Sequence, residues 1–197
     1  MPISINPSAM DMSGTLMFRG NWRSKIFLEA ASADFDAGEA VILSGDDVAQ
    51  SDTAPGANAF SSKLADNVRI LGFALEDASG TTGAPVLINL PMDSSAEVLL
   101  RVGSTTTGSD QEVQDIAIGD LAPCYRYTSS AATGSKTRTT AGPAAAGSGE
   151  DKFVVRQKYG YKLQGGNVSE QVAGDDFALA WFGLIQDDVA LNRSVVP

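Results

Sequence analysis

The residues able to do chemistry are few, and what is missing decides as much as what is present. The chain has no histidine. That removes the usual general base, the Ser-His-Asp and Cys-His nucleophile systems, and every metal site that needs imidazole. Its one cysteine is Cys124, so an internal disulfide and a cysteine-cluster metal site are both excluded. Cys124 stands in an apolar run beside Pro123, the setting of a small buried hydrophobe, whereas a reactive thiolate needs an exposed, electropositive one. Carboxylates remain. Four doublets occur, Asp46-Asp47, Glu76-Asp77, Asp175-Asp176 and Asp187-Asp188. A glycosidase needs two carboxyl groups facing each other across a cleft, and neighbours in a strand point to opposite faces. No segment follows the D-x-[DN]-x-[DN]-G calcium pattern. The doublets read first as solvated turn residues, with a weak cation site or carboxylate catalysis as the lesser alternatives. Asn167-Val168-Ser169 matches a glycosylation sequon without an export signal to give it meaning. No glycine-rich stretch lies between a strand and a helix, where it would cradle phosphate. The expectation is a protein without catalysis, metal or cofactor.

The cations are unevenly placed. Residues 126–162 hold seven Lys or Arg against two acids, a local net of +5 in a chain of net charge −10, which leaves −15 for the rest. Arg126, Arg138, Lys152, Arg156, Lys158 and Lys162 form a candidate docking patch, since faces of opposite sign favour complementary surfaces. Chance clustering on a solvated hairpin is the plainer alternative. Nucleic acid is not an expected partner, because the molecule as a whole is repelled by phosphate. Tyr125, Tyr127, Tyr159, Tyr161, Trp22 and Trp181 could offer stacking faces to sugars or bases, or pack across strands.

The elements that must position these residues read as short strands. The 197 residues are 43% hydrophobic and 19% charged, ordinary for one folded domain. Apolar runs at Thr15–Arg19, Lys25–Ala31, Ala40–Leu43, Val68–Leu75, Val86–Leu90, Glu97–Val102, Ala122–Thr128, Phe153–Leu163 and Phe177–Ile185 are separated by turn residues. Gly20-Asn21 predicts a hairpin between the first two. A single helical turn fits Ala59–Ala65. This spacing predicts an all-β barrel or sandwich, and no βαβ alternation is present. Residues 129–150 carry no apolar side chain larger than alanine apart from Pro143, and read as a long exposed loop or linker. The tyrosine-bearing strands on either side are expected to pair across it. Residues 1–14, with two prolines, read as an extended arm or a frayed end, and 15–197 as one β-rich domain. No apolar run approaches about 18 residues, so no membrane helix is expected. The first 13 residues lack the charged and apolar regions of a secretory signal, which points to synthesis in a cytoplasm.

Three segments carry a resemblance: AGEAVILSGDDVAQSD (37–52), NVRILGFALEDASGTTGAPVLI (67–88) and EVLLRV (97–102). A short strand leaves a glycine turn. An acidic loop, a strand ending in small residues and two further strands then follow. This order resembles the capsid decoration (cement) proteins of tailed bacteriophages, and IGDLAPCYRY (118–127) and FGLIQDDVALN (182–192) loosely fit that family's later strands. The resemblance implies a β-tulip-like barrel or sandwich, homotrimeric, made in the host cytoplasm and seated on the outside of the head. There it would clamp major capsid protein subunits, with no membrane and no nucleic acid as partners. The 22-residue low-complexity segment departs from the family's shortest members.

On that resemblance Ile3, Ile5, Met10, Met12, Leu16 and Phe18 are candidates for capsid or inter-subunit contact, as apolar residues in a segment of weak local structure. Arg19, Arg23 and Lys25 could pair with an acidic capsid surface. The competing expectation is that Leu16, Phe18, Trp22 and Phe27 close the domain's own core. Two other functions compete: a carbohydrate- or host-surface-binding β module (head fibre or tail adhesin), and a carboxylate-only hydrolase, for which the spacing of the acids gives no support.

Overall fold

A computed structural model describes residues 17–52, 59–60, 64–65, 67–101, 116–129, 136–141, 151–158, 161–164, 167–170 and 179–185. In chain order the strands are β1 (Phe18–Arg19), β2 (Trp22–Leu28), β3 (Ala40–Ser44), β4 (Asp47–Gln50), β5 (Ala59–Phe60), β6 (Ile70–Ala74) and β7 (Pro85–Pro91). They continue with β8 (Glu97–Arg101), β9 (Leu121–Ser129), β10 (Lys136–Ala141), β11 (Asp151–Lys158), β12 (Tyr161–Gln164), β13 (Asn167–Glu170) and β14 (Leu179–Leu184). There is no helix among the described residues.

The strands form two main antiparallel sheets. One has five strands in the order β2-β7-β6-β3-β4. The other has seven, β1-β8-β14-β11-β9-β10, with β5 added on β9. A separate pair, β12 and β13, stands apart. The main core lies where the two sheets face each other. Ala40, Ile70 and Phe73 from the first sheet meet Val98, Leu100, Cys124, Phe153, Val155, Phe182 and Leu184 from the second. Each large side chain buried there contributes about 1.5–3 kcal/mol relative to exposure. The five-stranded sheet also buries its other face. Val41, Val48, Leu71, Val86, Ile88 and Leu90 close on Ala33 and Phe35 of the loop after β2. Both faces are therefore covered, which is why β6 reads Ile-Leu-Gly-Phe-Ala, apolar throughout and buried at every position. Gly72 is required inside β6, since a Cβ there would strike the backbone carbonyl of Asn89 on β7.

The two ends of the five-stranded sheet touch at one parallel bridge, Glu29 to Val48. No ladder closes a barrel among the described residues. The all-β expectation holds as two packed antiparallel sheets.

Three local expectations fail and a fourth holds only in part. Gly20-Asn21 does not join a hairpin. β1 pairs with β8 and β2 with β7, so the turn carries the chain from one sheet to the other. Gly20 has φ of 83°, and a Cβ there would collide with the Ser95 carbonyl in the β7–β8 crossing alongside. Segment 129–150 is not all loop: Lys136–Ala141 is a strand paired with β9 along its whole length. Its threonines supply β-branched bulk, and Thr139 and Ala141 are buried. The strands flanking that segment do pair, β9 with β11, but through Leu121–Pro123 and Asp151–Val154 and not through the tyrosines. Tyr125 faces Thr140 of β10, while Tyr161 pairs with Glu170 of β13. The expected helical turn at 59–65 begins instead as extended β5 on β9.

Candidate functional site

β1 and β2 are the edge strands of the two sheets and follow one another in the chain. The corner between them is pinned to the β7–β8 crossing. Asn21 Nδ2 donates to Asp93 Oδ2 at 2.7 Å, and the Asn21 amide donates to Ser95 Oγ at 3.2 Å. Hydrogen bonds from Ser95, then from Asn21, hold the Asp93 carboxyl below the usual carboxylate range. Before the corner, Arg19 Nε donates to Glu97 Oε2 at 2.6 Å, and its guanidinium lies 4.3 Å from the Trp181 ring centroid.

Beyond the corner, β2 runs as an edge. The Glu29 amide donates to Ala84 O, and the Met92 amide donates to Asn21 O. In the register of this pair, these bonds assign the odd residues Arg23, Lys25 and Phe27 to the ladder with β7. The even residues Trp22, Ser24, Ile26 and Leu28 therefore direct their N–H and C=O groups to the opposite side. At the far end that side meets β4, where the Ala30 amide donates to Val48 O at 2.9 Å. Over Trp22–Ile26 no described strand pairs with it.

The side chains of β2 divide by face. Phe27 packs on the core inside the five-stranded sheet. Arg23 and Lys25 share its face and are exposed, with Lys25 Nζ 5.2 Å from the Phe27 ring centroid. Trp22 packs on the core between the sheets, but Ile26 and Leu28 on the same face are 63% and 49% exposed. Ile26 lies opposite Leu87, and the Leu75 amide donates to Leu87 O at 2.9 Å. An apolar row thus crosses β2, β7 and the end of β6, with Leu75 38% exposed.

A second constellation is buried. Glu39, just before β3, and Arg126, on β9, form a two-pronged ion pair between the sheets, with both contacts at 2.9 Å. Both side chains are at most 1% exposed. Arg126 also donates to the carbonyls of Asp34, at 2.6 Å, and Asp52. Glu39 Oε2 accepts from the Asp36 amide at 2.9 Å. Burial raises the Glu39 carboxyl above its ordinary range, and Arg126 only partly offsets it. Cys124, two residues along β9, is wholly buried and its thiol is pushed up to about 12, first by burial and next by the Glu39 charge. A group so placed is a packing element, as its sequence setting indicated.

The expected contact residues fall into distinct places. Ile3, Ile5, Met10, Met12 and Leu16 lie outside the described residues. Phe18 does not face outward: with Trp22 and Phe73 it forms an edge-on aromatic trio, centroids 4.8–5.9 Å apart, and closes the main core. Arg19 is engaged within the chain, and Arg23 and Lys25 are exposed. The expected patch at 126–162 is divided. Arg126 and Lys152 are buried and cannot belong to a surface. Arg156 and Lys158 are exposed on β11. The side chains of Arg138 and Lys162 lie outside the described residues. Of the candidate stacking aromatics, Tyr125 and Trp181 are buried and Trp22 packs on the core. Of the acidic doublets, Glu76 Oε1 accepts from the Leu87 amide at 2.6 Å and Asp77 Oδ1 from the Ala37 amide at 2.8 Å, so this doublet staples loops. Asp175-Asp176 and Asp187-Asp188 lie outside the described residues. Among the described residues no group of three or more potential ligands could hold a metal ion, and no helix is long and apolar enough to cross a membrane.

Sequence reasoning missed the Glu39–Arg126 pair and the Ile26–Leu87–Leu75 row. The first had a signal: Ala122, Cys124 and Arg126 share one face of a strand, so an inward Cys124 implies an inward Arg126. The second had none, because which strands become neighbours is set by pairings distant in sequence. No family model, curated protein or solved structure matches the chain.

Proposed function

We propose that the protein is a non-enzymatic structural component of a phage particle. It sits on the outer surface of the head as a homotrimer and stabilises contacts between major capsid protein subunits. The resemblance of segments 37–52, 67–88 and 97–102 supplies the family. The observation that carries the docking role is the β2 edge, exposed at Arg23, Lys25, Ile26 and Leu28, whose outer ladder side over Trp22–Ile26 pairs with no strand among the described residues. β1 and β2 open the described chain at the edges of both sheets; Ile3, Ile5, Met10, Met12 and Leu16, outside the described residues, are contact candidates on the resemblance alone. In this reading the two sheets belong to a β-tulip-like variant, and Arg156 and Lys158 form a lesser cationic contact on the other sheet. One weak edge per subunit suffices, because an oligomer bridging several capsid subunits raises the effective concentration of each further contact. The adhesin reading lacks comparable support, since Trp22, Trp181 and Tyr125 serve the domain's own packing.

The test is to mix the purified protein with expanded heads that lack it, then sediment and image them. Saturable binding at regular surface positions, with heads more resistant to heat, is the expected result. Absence of binding, with a monomeric protein in solution, contradicts the reading.

A further inference from the structure

We infer that the β2 edge takes up an extended acidic segment of a partner protein as a sixth strand of the five-stranded sheet, in which acidic and apolar residues alternate. The inference deepens the docking role proposed above and rests on it for the biological setting alone; the chemistry stands on the edge itself. The ladder bonds at Glu29 and Met92 aim the N–H and C=O groups of Trp22, Ser24 and Ile26 outward. A strand laid along them completes the alternating pattern.

Side chains of paired residues share a face, so β2 dictates what the incoming strand must carry. Positions facing Arg23 and Lys25 meet two exposed cations and favour Asp or Glu. Alternate positions share the face of Ile26 and Leu28 and extend the apolar row through Leu87 to Leu75, so they favour Val, Ile or Leu. The bridge from Glu29 to Val48 and the bond from Ala30 to Val48 close the far end of the groove, which fixes where the added strand must stop. Charge selects the occupant. Two β2 edges paired with each other would set Arg23 and Lys25 of one copy against those of the other, and like charges at edges oppose such pairing. An acidic strand meets the opposite condition at contact, where its carboxylates face Arg23 and Lys25.

The experiment measures binding of two labelled synthetic peptides to the full chain by fluorescence anisotropy, one alternating aspartate with valine and one alternating lysine with valine. The aspartate peptide is expected to bind and the lysine peptide not. Ser24→Pro removes one outward N–H while leaving the β7 ladder, to which Ser24 contributes no N–H, and proline is tolerated on edges. It is expected to weaken aspartate-peptide binding at least about tenfold, which is a loss of about 1.4 kcal/mol. Ser24→Ala, which removes only the long contact to Asn89 Oδ1, is expected to change it less than about twofold. The paired change Arg23→Glu and Lys25→Glu is expected to abolish it and decides the matter if Ser24→Pro does not fold. Equal binding of both peptides, or binding unaffected by the charge reversal in a folded protein, overturns the inference. So does a dimer in sedimentation that Ser24→Pro dissolves, since the occupant would then be a second copy. The head-binding assay separates the two proposals. Heads bound by a protein that ignores the acidic peptide overturn the strand and leave the decoration role. A peptide bound by a protein that ignores heads does the reverse.

Discussion

Two sets of cations in this molecule look alike in sequence and have opposite fates. Arg126 and Lys152 fall within the most cationic stretch of the chain, yet both are buried. Arg23 and Lys25 stand in a short segment with little to mark it, yet both are exposed on an open edge. What separates them is what covers each side chain. Arg126 and Lys152 lie on covered stretches of β9 and β11, although Arg156 and Lys158 further along β11 are exposed. Arg23 and Lys25 are exposed on β2, which over Trp22–Ile26 has a described neighbouring strand on one side only. A buried cation must find its counter-charge within the chain, as Arg126 finds Glu39. Local charge density therefore says less about docking than which cations the fold leaves exposed.

The largest expected effect breaks this comparison at its buried side. Arg126→Met leaves Glu39 buried without its partner and is expected to cost about 3–5 kcal/mol of unfolding free energy. In the same denaturant titration Arg126→Met combined with Glu39→Leu is expected to recover much of the loss, because no unpaired charge then remains. At the exposed side, Lys25→Ala is expected to change stability by less than about 0.5 kcal/mol. Comparable losses at Arg126 and Lys25 would erase the distinction drawn between them.

A smaller effect appears in pH. Burial raises the Glu39 carboxyl above its ordinary value of 4.5, so the fold holds that proton more tightly than the unfolded chain does. The associated stability is fully present below the unfolded value and is lost as pH rises through the raised one. Wild type is thus expected to lose stability relative to Glu39→Gln as pH climbs from about 4.5. A difference between the two that stays flat, or grows in favour of wild type, contradicts the assignment. The smallest change concerns Cys124, whose thiol is pushed up to about 12 and is wholly buried. It is expected to resist an aromatic disulfide reagent in the native protein and to react fully once denatured; prompt native reaction would show that the space between the sheets is open.

Much of the sheet content was legible. β6, β8 and β14 lie within the apolar runs that predicted them, and β3 overruns its own by one residue at one end and β7 by one at each end, because each is an apolar segment bounded by turn residues. β10 was not, since burial is usually sought in large apolar side chains and Lys136–Ala141 has none. Its threonines were the available signal, and Thr139 turns inward to accept from the Ala40 amide at 2.6 Å. The crossing at Gly20-Asn21 was misread as a hairpin because a positive-φ glycine serves both roles; only the pairing of β1 with β8 and β2 with β7 separates them. The candidate site was legible as residues, Arg23 and Lys25 among them. It was not legible as an edge, which depends on a sheet order assembled from residues 57 to 69 positions apart.

The docking role of that edge is tested most directly by amide hydrogen exchange across Trp22–Leu28, in the free protein and in protein bound to heads. The outward amides of Trp22, Ser24 and Ile26 should exchange quickly in the free state and become protected on the particle, while those of Arg23, Lys25 and Phe27 are protected in both. Protein bound to heads with the Trp22, Ser24 and Ile26 amides still exchanging at the free rate would contradict it.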